Sequence, residues 1–247
     1  MNNYKLIIQY DGTNYAGWQL QKNAVTVQEK ISEVINVIIK EKVNLIGSGR
    51  TDAGVHALGQ VANFRTEKKI DINKFQYSLN AVLPKEISVN KIEKVSESFH
   101  ARFDAINRSY LYIITHNKSP FLEKYSYFYP QIKKINFYEL NRISKCLLGE
   151  HDFTSFSKKN EELKEKKCTI TDIHWRTDKE KTMFYISANR FLHGMVRTIT
   201  GTLLYAAEKK LDTDYIQNIL QKKDRTAAEK SVPAKGLFLY KVRYQDD

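Results

Sequence analysis

The segment Gly47-Ser48-Gly49-Arg50-Thr51-Asp52-Ala53-Gly54-Val55-His56-Ala57 constrains this chain more than any other. A strand-like run precedes it at residues 43–46, and an alternating run follows at 60–64. The reading is a loop held between two strands, with one carboxylate, Asp52, two residues after one guanidinium, Arg50. Glycine permits tight turns and close backbone approach that other residues resist. Catalytic groups tend to sit on such loops, carried by a rigid scaffold. An arginine nearby favours the ionised form of an aspartate. Phosphate-binding loops do not fit. A dinucleotide fingerprint begun at Gly47 and Gly49 requires glycine at position 52, which is Asp52, and no Gly-Lys-Ser/Thr follows.

The pattern along the chain predicts an α+β fold. Residues 4–10 alternate and are rich in β-formers. Thr26 and Glu29 form a capping-box pattern. Val27, Ile31, Val34, Ile35, Ile38 and Ile39 then recur at helical spacing, predicting an amphipathic helix of about 15 residues. Asp71 looks like the cap of a helix ending near Pro84, and residues 87–95 and 109–115 read as extended. Residues 136–148 read as a helix with Phe137, Leu140, Ile143, Leu147 and Leu148 on one side. Strands are expected at 169–176 and 181–189, around a polar turn, Thr177-Asp178-Lys179-Glu180. A long helix over 195–209, a shorter one capped by Asp212, and a strand over 237–244 complete the reading. The expected boundary between halves lies near 104–108, giving residues 1–105 and 106–247. The charged run at 158–167 reads as a solvated loop or helix face.

The 247 residues carry 40 Lys and Arg against 28 Asp and Glu, a formal charge of +12. So basic a balance points to a polyanionic partner, nucleic acid or a membrane surface. No apolar run of 18 residues exists to span a bilayer. The N-terminus does not read as a signal peptide, and the expected location is cytoplasmic. Cys146 and Cys168 lack the spacing of a zinc site or a disulfide framework. Fifteen tyrosines and twelve phenylalanines among so many cations supply surfaces on which unpaired bases stack, although most belong to the core.

Gly-Arg-Thr-Asp-Ala-Gly-Val-His-Ala resembles the catalytic motif of the tRNA pseudouridine synthase A family. Five further blocks are similar to that family's, in the same order, from about residue 4 to 244. They are Tyr10-Asp11-Gly12-Thr13 with Gly17-Trp18-Gln19, Phe99-His100-Ala101-Arg102-Phe103 leading to Arg108-Ser109-Tyr110-Leu111-Tyr112, His151-Asp152-Phe153, Phe191-Leu192-His193-Gly194-Met195-Val196-Arg197, and Pro233-Ala234-Lys235-Gly236-Leu237. The resemblance implies two similar α/β-sandwich halves with mixed, mainly antiparallel sheets and a central active-site cleft. It implies a homodimer acting on uridines 38, 39 and 40 of the tRNA anticodon stem-loop, with no metal and no other cofactor. Asp52 is then the nucleophile or base, and Tyr110 stacks on the target uracil. Alternation puts Tyr112 on the same strand face, as a core partner. Arg197 opens the long helix, where a basic side chain could orient and ionise Asp52; otherwise it is a surface arginine. Arg50 contacts phosphate or holds the place of the flipped base, or else bridges within its own loop. Leu237 floors the base pocket or is simply a buried strand leucine. His56, His100, His151 and His193 match no ligand set. Arg190, Gly194, Thr198 and the stretch Ala228-Glu229-Lys230-Ser231 depart from the family pattern; they leave the catalytic set intact and bear on the shape of the RNA entrance.

Two other functions compete. A non-catalytic RNA-binding module fits the composition equally well, but does not need Asp52, Arg50, Tyr110 and Arg197 together. A glycosidase or base glycosylase would normally pair two carboxylates. Glu150 and Asp152 are the nearest second acids, and their spacing reads as a helix end.

Overall fold

The computed structural model describes residues 1–158 and 165–245, so most of the charged run at 158–167 lies outside the described residues. In chain order the elements are β1 (Asn2–Tyr10), α1 (Val27–Ile39), β2 (Ile46–Gly47), β3 (His56–Thr66), α2 (Ile72–Val82), β4 (Ile87–Val95), β5 (Asn107–Thr115) and β6 (Tyr127–Phe128). Then come α3 (Phe137–Ser144), β7 (Gly149–Asp152), β8 (Lys167–Thr177), β9 (Lys181–Ala188), α4 (Met195–Glu208), α5 (Thr213–Lys222) and β10 (Leu237–Arg243). The chain divides into two compact units, Met1–Ile106 with Phe238–Asp247, and Asn107–Leu237.

In the first unit the strand order is β4-β1-β3-β10, with β2 on β3. The β1 strand is antiparallel to β3 and β4, whereas β10 runs parallel to β3 at Phe238 and Leu239. Tyr4, Leu6, Ile8 and Tyr10 alternate into the core with Val27, Ile31 and Ile35 of α1 and Phe75 and Leu79 of α2. Burying each such side chain contributes about 1.5–3 kcal/mol. The capping box forms: Thr26 Oγ1 accepts from the Glu29 amide at 3.3 Å, and Glu29 Oε2 from the Thr26 amide at 3.4 Å. Strand β3 does not alternate. Residues 60–64 are buried on both faces, polar Gln60 and Asn63 included.

The second unit carries the antiparallel order β5-β9-β8-β7, with β6 parallel to β5. Helix α3 is fastened to β8 by polar side chains. Asn141 bonds both the amide and the carbonyl of Trp175, and the Trp175 indole donates to Ser144 Oγ at 2.9 Å.

Three expectations need correction. Residues 43–46 are not a strand, and only Ile46 and Gly47 pair with β3. Val43 and Leu45 fill the core, and their backbone partners are side chains of α1: the Val43 amide donates to Asn36 Oδ1 and the Leu45 carbonyl accepts from Gln28 Nε2. The helix expected over 136–148 stops at Ser144 and tightens into a 3-10 turn, Lys145–Leu147, leaving Leu148 outside it. Glu150 and Asp152 lie in a strand paired with β8, not at a helix end.

Candidate active site residues

Asp52 stands in the turn between β2 and β3, where the Val55 amide donates to the Asp52 carbonyl at 3.1 Å. The segment after β1 cradles that turn. The Trp18 amide donates to the Thr51 carbonyl at 3.2 Å and the Gly54 amide to the Tyr15 carbonyl at 3.3 Å. The Tyr10 phenol shares a buried 2.8 Å hydrogen bond with Thr51 Oγ1. Such close apposition explains two glycines outside the loop itself. A Cβ on Gly12 would lie 2.0 Å from the Val55 carbonyl oxygen, and one on Gly17 2.4 Å from that of Thr51. Gly17 also sits at φ +95°, where side chains are strained.

Gln60 braces the other arm of the loop from inside β3. Its Oε1 accepts from Ser48 Oγ at 2.7 Å and from the Val61 amide at 3.2 Å, while its Nε2 donates to the Gly49 carbonyl at 3.0 Å. The Gln60 side chain is fully enclosed, so losing any of these bonds would strand a buried polar group. Nothing in the sequence marks Gln60 for this role, because a glutamine in an alternating run reads as solvent-facing. His56 is also structural. Its Nδ1 accepts from the Gly12 amide at 3.1 Å, and its ring stacks on Phe238 with centroids 4.7 Å apart. Arg50 is exposed, and its Nε donates to Gln19 Oε1 at 3.2 Å. That bond ties the arginine to the cradle segment.

Tyr110, Arg197 and Leu237 all belong to the second unit, Tyr110 on β5 itself. Tyr110 is half-buried, its ring edge-on to Phe191 at 5.1 Å. Phe191 opens one of the family blocks, where the sequence assigns it no role of its own. Tyr112, two residues on, is fully buried and donates to the Pro233 carbonyl at 2.8 Å. Burial pushes its phenol well above the ordinary tyrosine range, with the Arg197 charge opposing. Arg197 lies in the first turn of α4, and its Nε donates to the Val232 carbonyl at 2.8 Å. Adjacent carbonyls of residues 232 and 233 are thereby held by Arg197 and Tyr112, fixing the short segment that leads to Leu237, itself buried. Two of the departures from the family pattern meet here, since Thr198 Oγ1 and Ser231 Oγ share a 2.8 Å hydrogen bond.

Among the described residues no group of three or more His, Cys, Asp or Glu side chains is placed to hold a metal ion. Both cysteines are free, and burial pushes each thiol up to about 11, so both stay protonated at neutral pH. Among the described residues no helix is long and apolar enough to cross a membrane.

The family described as tRNA pseudouridine synthase matches residues 6–104 and 143–245. Three relatives bear the name tRNA pseudouridine synthase A. That of Clostridium acetobutylicum is 43% identical and that of a Thermoanaerobacter species 42%, each over 244 residues, covering 99% of this chain and all of the relative. The protein of Brachyspira hyodysenteriae is 42% identical over 251 residues, covering the whole of both chains. Among solved structures, a chain of a Cbf5-Nop10-Gar1 complex reaches a TM-score of only 0.34 at 10% identity, covering 90% of this chain and 68% of that one, a likeness too slight to bear on fold or function. With both stretches of the family matched and relatives aligned from end to end, the chain is an isomerase belonging to the tRNA pseudouridine synthase family.

Proposed function

We propose that this chain isomerises uridine to pseudouridine at positions 38, 39 and 40 of the tRNA anticodon stem-loop, with Asp52 as nucleophile. The reaction breaks the N1–C1′ bond, turns the uracil and joins C5 to C1′. The proton on C5 leaves and N1 gains one, so atoms balance without an oxidant, a metal or ATP. A positioned carboxylate suffices to attack the sugar or to take a proton from it. The observation that carries this reading is the Asp52 turn, bonded on both arms and presenting one carboxylate between Thr51 and Gly54.

In this reading Tyr110 stacks on the flipped uracil, which needs a flat surface and a polar contact. Leu237 lines the base pocket, Arg197 orients the carboxylate, and Arg50 contacts the RNA. Residues 1–105 supply the nucleophile and residues 106–247 the base-binding groups. The protein works as a cytoplasmic homodimer. Incubation with an unmodified tRNA transcript, followed by mapping of pseudouridine, tests the proposal. Modification at positions 38–40 is expected. Modification confined to other positions sinks the site assignment, and none at all sinks the activity.

A further inference from the structure

The block Phe99-His100-Ala101-Arg102-Phe103 lies outside the roles proposed for Asp52, Tyr110 and Arg197. Its loop is nevertheless held by much of the buried polar machinery of the first unit. Asn63, in the middle of β3, accepts from the Ala101 amide at 2.9 Å and donates to Asn3 Oδ1 at 2.9 Å. Asn3 in turn donates to the carbonyls of Ser96 and Phe99, both at 2.9 Å. Both asparagines are fully buried. From the chain end, the Tyr244 phenol donates to the Ala101 carbonyl at 2.7 Å. Within the turn, His100 Nδ1 accepts from the amides of Arg102 and Phe103, and the Asp104 carboxylate accepts from the His100 amide at 2.8 Å.

This fixed turn presents a large apolar side chain to water. Phe103 is 73% exposed. The Arg102 guanidinium sits over its ring at 5.5 Å, and the His100 ring lies 4.3 Å away. An aromatic ring displayed beside a cation is the surface on which proteins stack unpaired bases. The cation also meets the phosphate beside such a base, which distinguishes the site from an apolar contact between proteins. Asn63, which anchors the turn, stands seven residues beyond His56 on β3, about 23 Å of extended strand from the Asp52 turn.

We propose that Phe103, flanked by Arg102 and His100, is a stacking platform for an unpaired RNA base other than the one that reacts. The proposal rests on the tRNA reading above and adds a second binding site to it. Prior ordering of the turn lowers the entropy lost on binding.

Phe103→Trp provides the test. The two native tryptophans, Trp18 and Trp175, are 1% and 4% exposed, so the new indole alone faces solvent. Saturating unmodified tRNA is expected to quench its emission. Unchanged emission at saturation overturns the proposal. So does a blue shift that grows with protein concentration in the absence of RNA, which marks contact with a second copy of the chain. Phe103→Ala should weaken tRNA binding roughly 5- to 150-fold, the worth of one stacked base, with kcat and the salt dependence of binding unchanged. Wild-type affinity in Phe103→Ala, alongside an active wild-type enzyme, overturns the platform alone. An inactive wild-type enzyme overturns the reading of function instead.

Discussion

Asp52→Asn keeps the shape of the side chain and removes its charge. The mutant is expected to form no pseudouridine while binding tRNA almost as well as wild type, measured by product mapping and by equilibrium binding on the same preparation. A tenth of wild-type turnover would exclude Asp52 as nucleophile. Tyr110 separates ring from hydroxyl. Tyr110→Ala should weaken binding about 5- to 150-fold, since base stacking contributes about 1–3 kcal/mol, while Tyr110→Phe should bind nearly normally. Wild-type behaviour of Tyr110→Ala in both assays would make the residue part of the core. Asn63 gives a structural counterpart. Asn63→Ala leaves the Ala101 amide and Asn3 without their buried partner, a cost of about 1–3 kcal/mol, read as a lowered melting temperature. The family motif that contains Asp52 is legible because it is a contiguous string. The bracing by Gln60 and the packing of Phe191 on Tyr110 are not, since both depend on contacts between residues distant in sequence.

At the scale of elements, sequence reading succeeded where local physics decides. The capping box started α1 at the expected residue, and the turn at 177–180 closes as a hairpin, with the Asp178 amide on the Lys181 carbonyl at 3.0 Å. It failed where tertiary partners override pattern. The Val43 amide and the Leu45 carbonyl bond to side chains of α1 instead of a strand, and the 136–148 helix breaks before Leu148. The cradle around Asp52 offers a test at this scale. Gly17→Ala puts a Cβ against the Thr51 carbonyl at a positive φ, so the loop must shift. Activity should fall by well over tenfold, as misplacement near 1 Å costs about a hundredfold, while tRNA binding changes little. Unchanged kcat in Gly17→Ala would show that the cradle does not position Asp52. The β7 strand has its own pH signature. Burial pushes the Asp152 carboxyl up, but bonds from the Thr154 hydroxyl and amide and the Lys223 ion pair outweigh it and hold it below its usual value. A carboxyl depressed in the folded state stabilises fully above its ordinary value, and that stability is lost only as pH falls below that value and through the depressed folded one. Asp152→Asn should therefore lower the melting temperature at pH 7, and by progressively less as pH falls below the ordinary carboxylate value and through the depressed one; a loss that stays equal at every pH would remove the charge from the account.

On the scale of the whole molecule the charge is uneven. The second unit, Asn107–Leu237, carries 24 Lys and Arg against 15 Asp and Glu, and the first carries 16 against 13, which leaves +9 and +3 of the total of +12. That asymmetry is already visible in the sequence: residues 238–247 carry two cations and two acids, so the halves 1–105 and 106–247 give the same +3 and +9 even though β10 returns the chain end to the first unit. The proposed dimer is checked by sedimentation at micromolar concentration, where a species at the protomer mass of 28.8 kDa alone would exclude it. The charge itself has a sharper consequence. Each phosphate neutralised by a lysine or arginine releases a counterion and adds roughly 0.7–0.9 to the slope of log affinity against log salt. If RNA binding draws on the second unit's excess, several such contacts form, and tRNA affinity should fall by about a thousandfold or more between 50 and 200 mM salt, as for proteins making six to ten phosphate contacts. Replacing single exposed cations in the second unit, Lys209 or Lys210 for instance, should reduce the slope only where that cation meets a phosphate, by about one unit each. An affinity that stays flat across that salt range would mean that the net charge serves something other than RNA, and that stacking on the aromatic side chains dominates recognition.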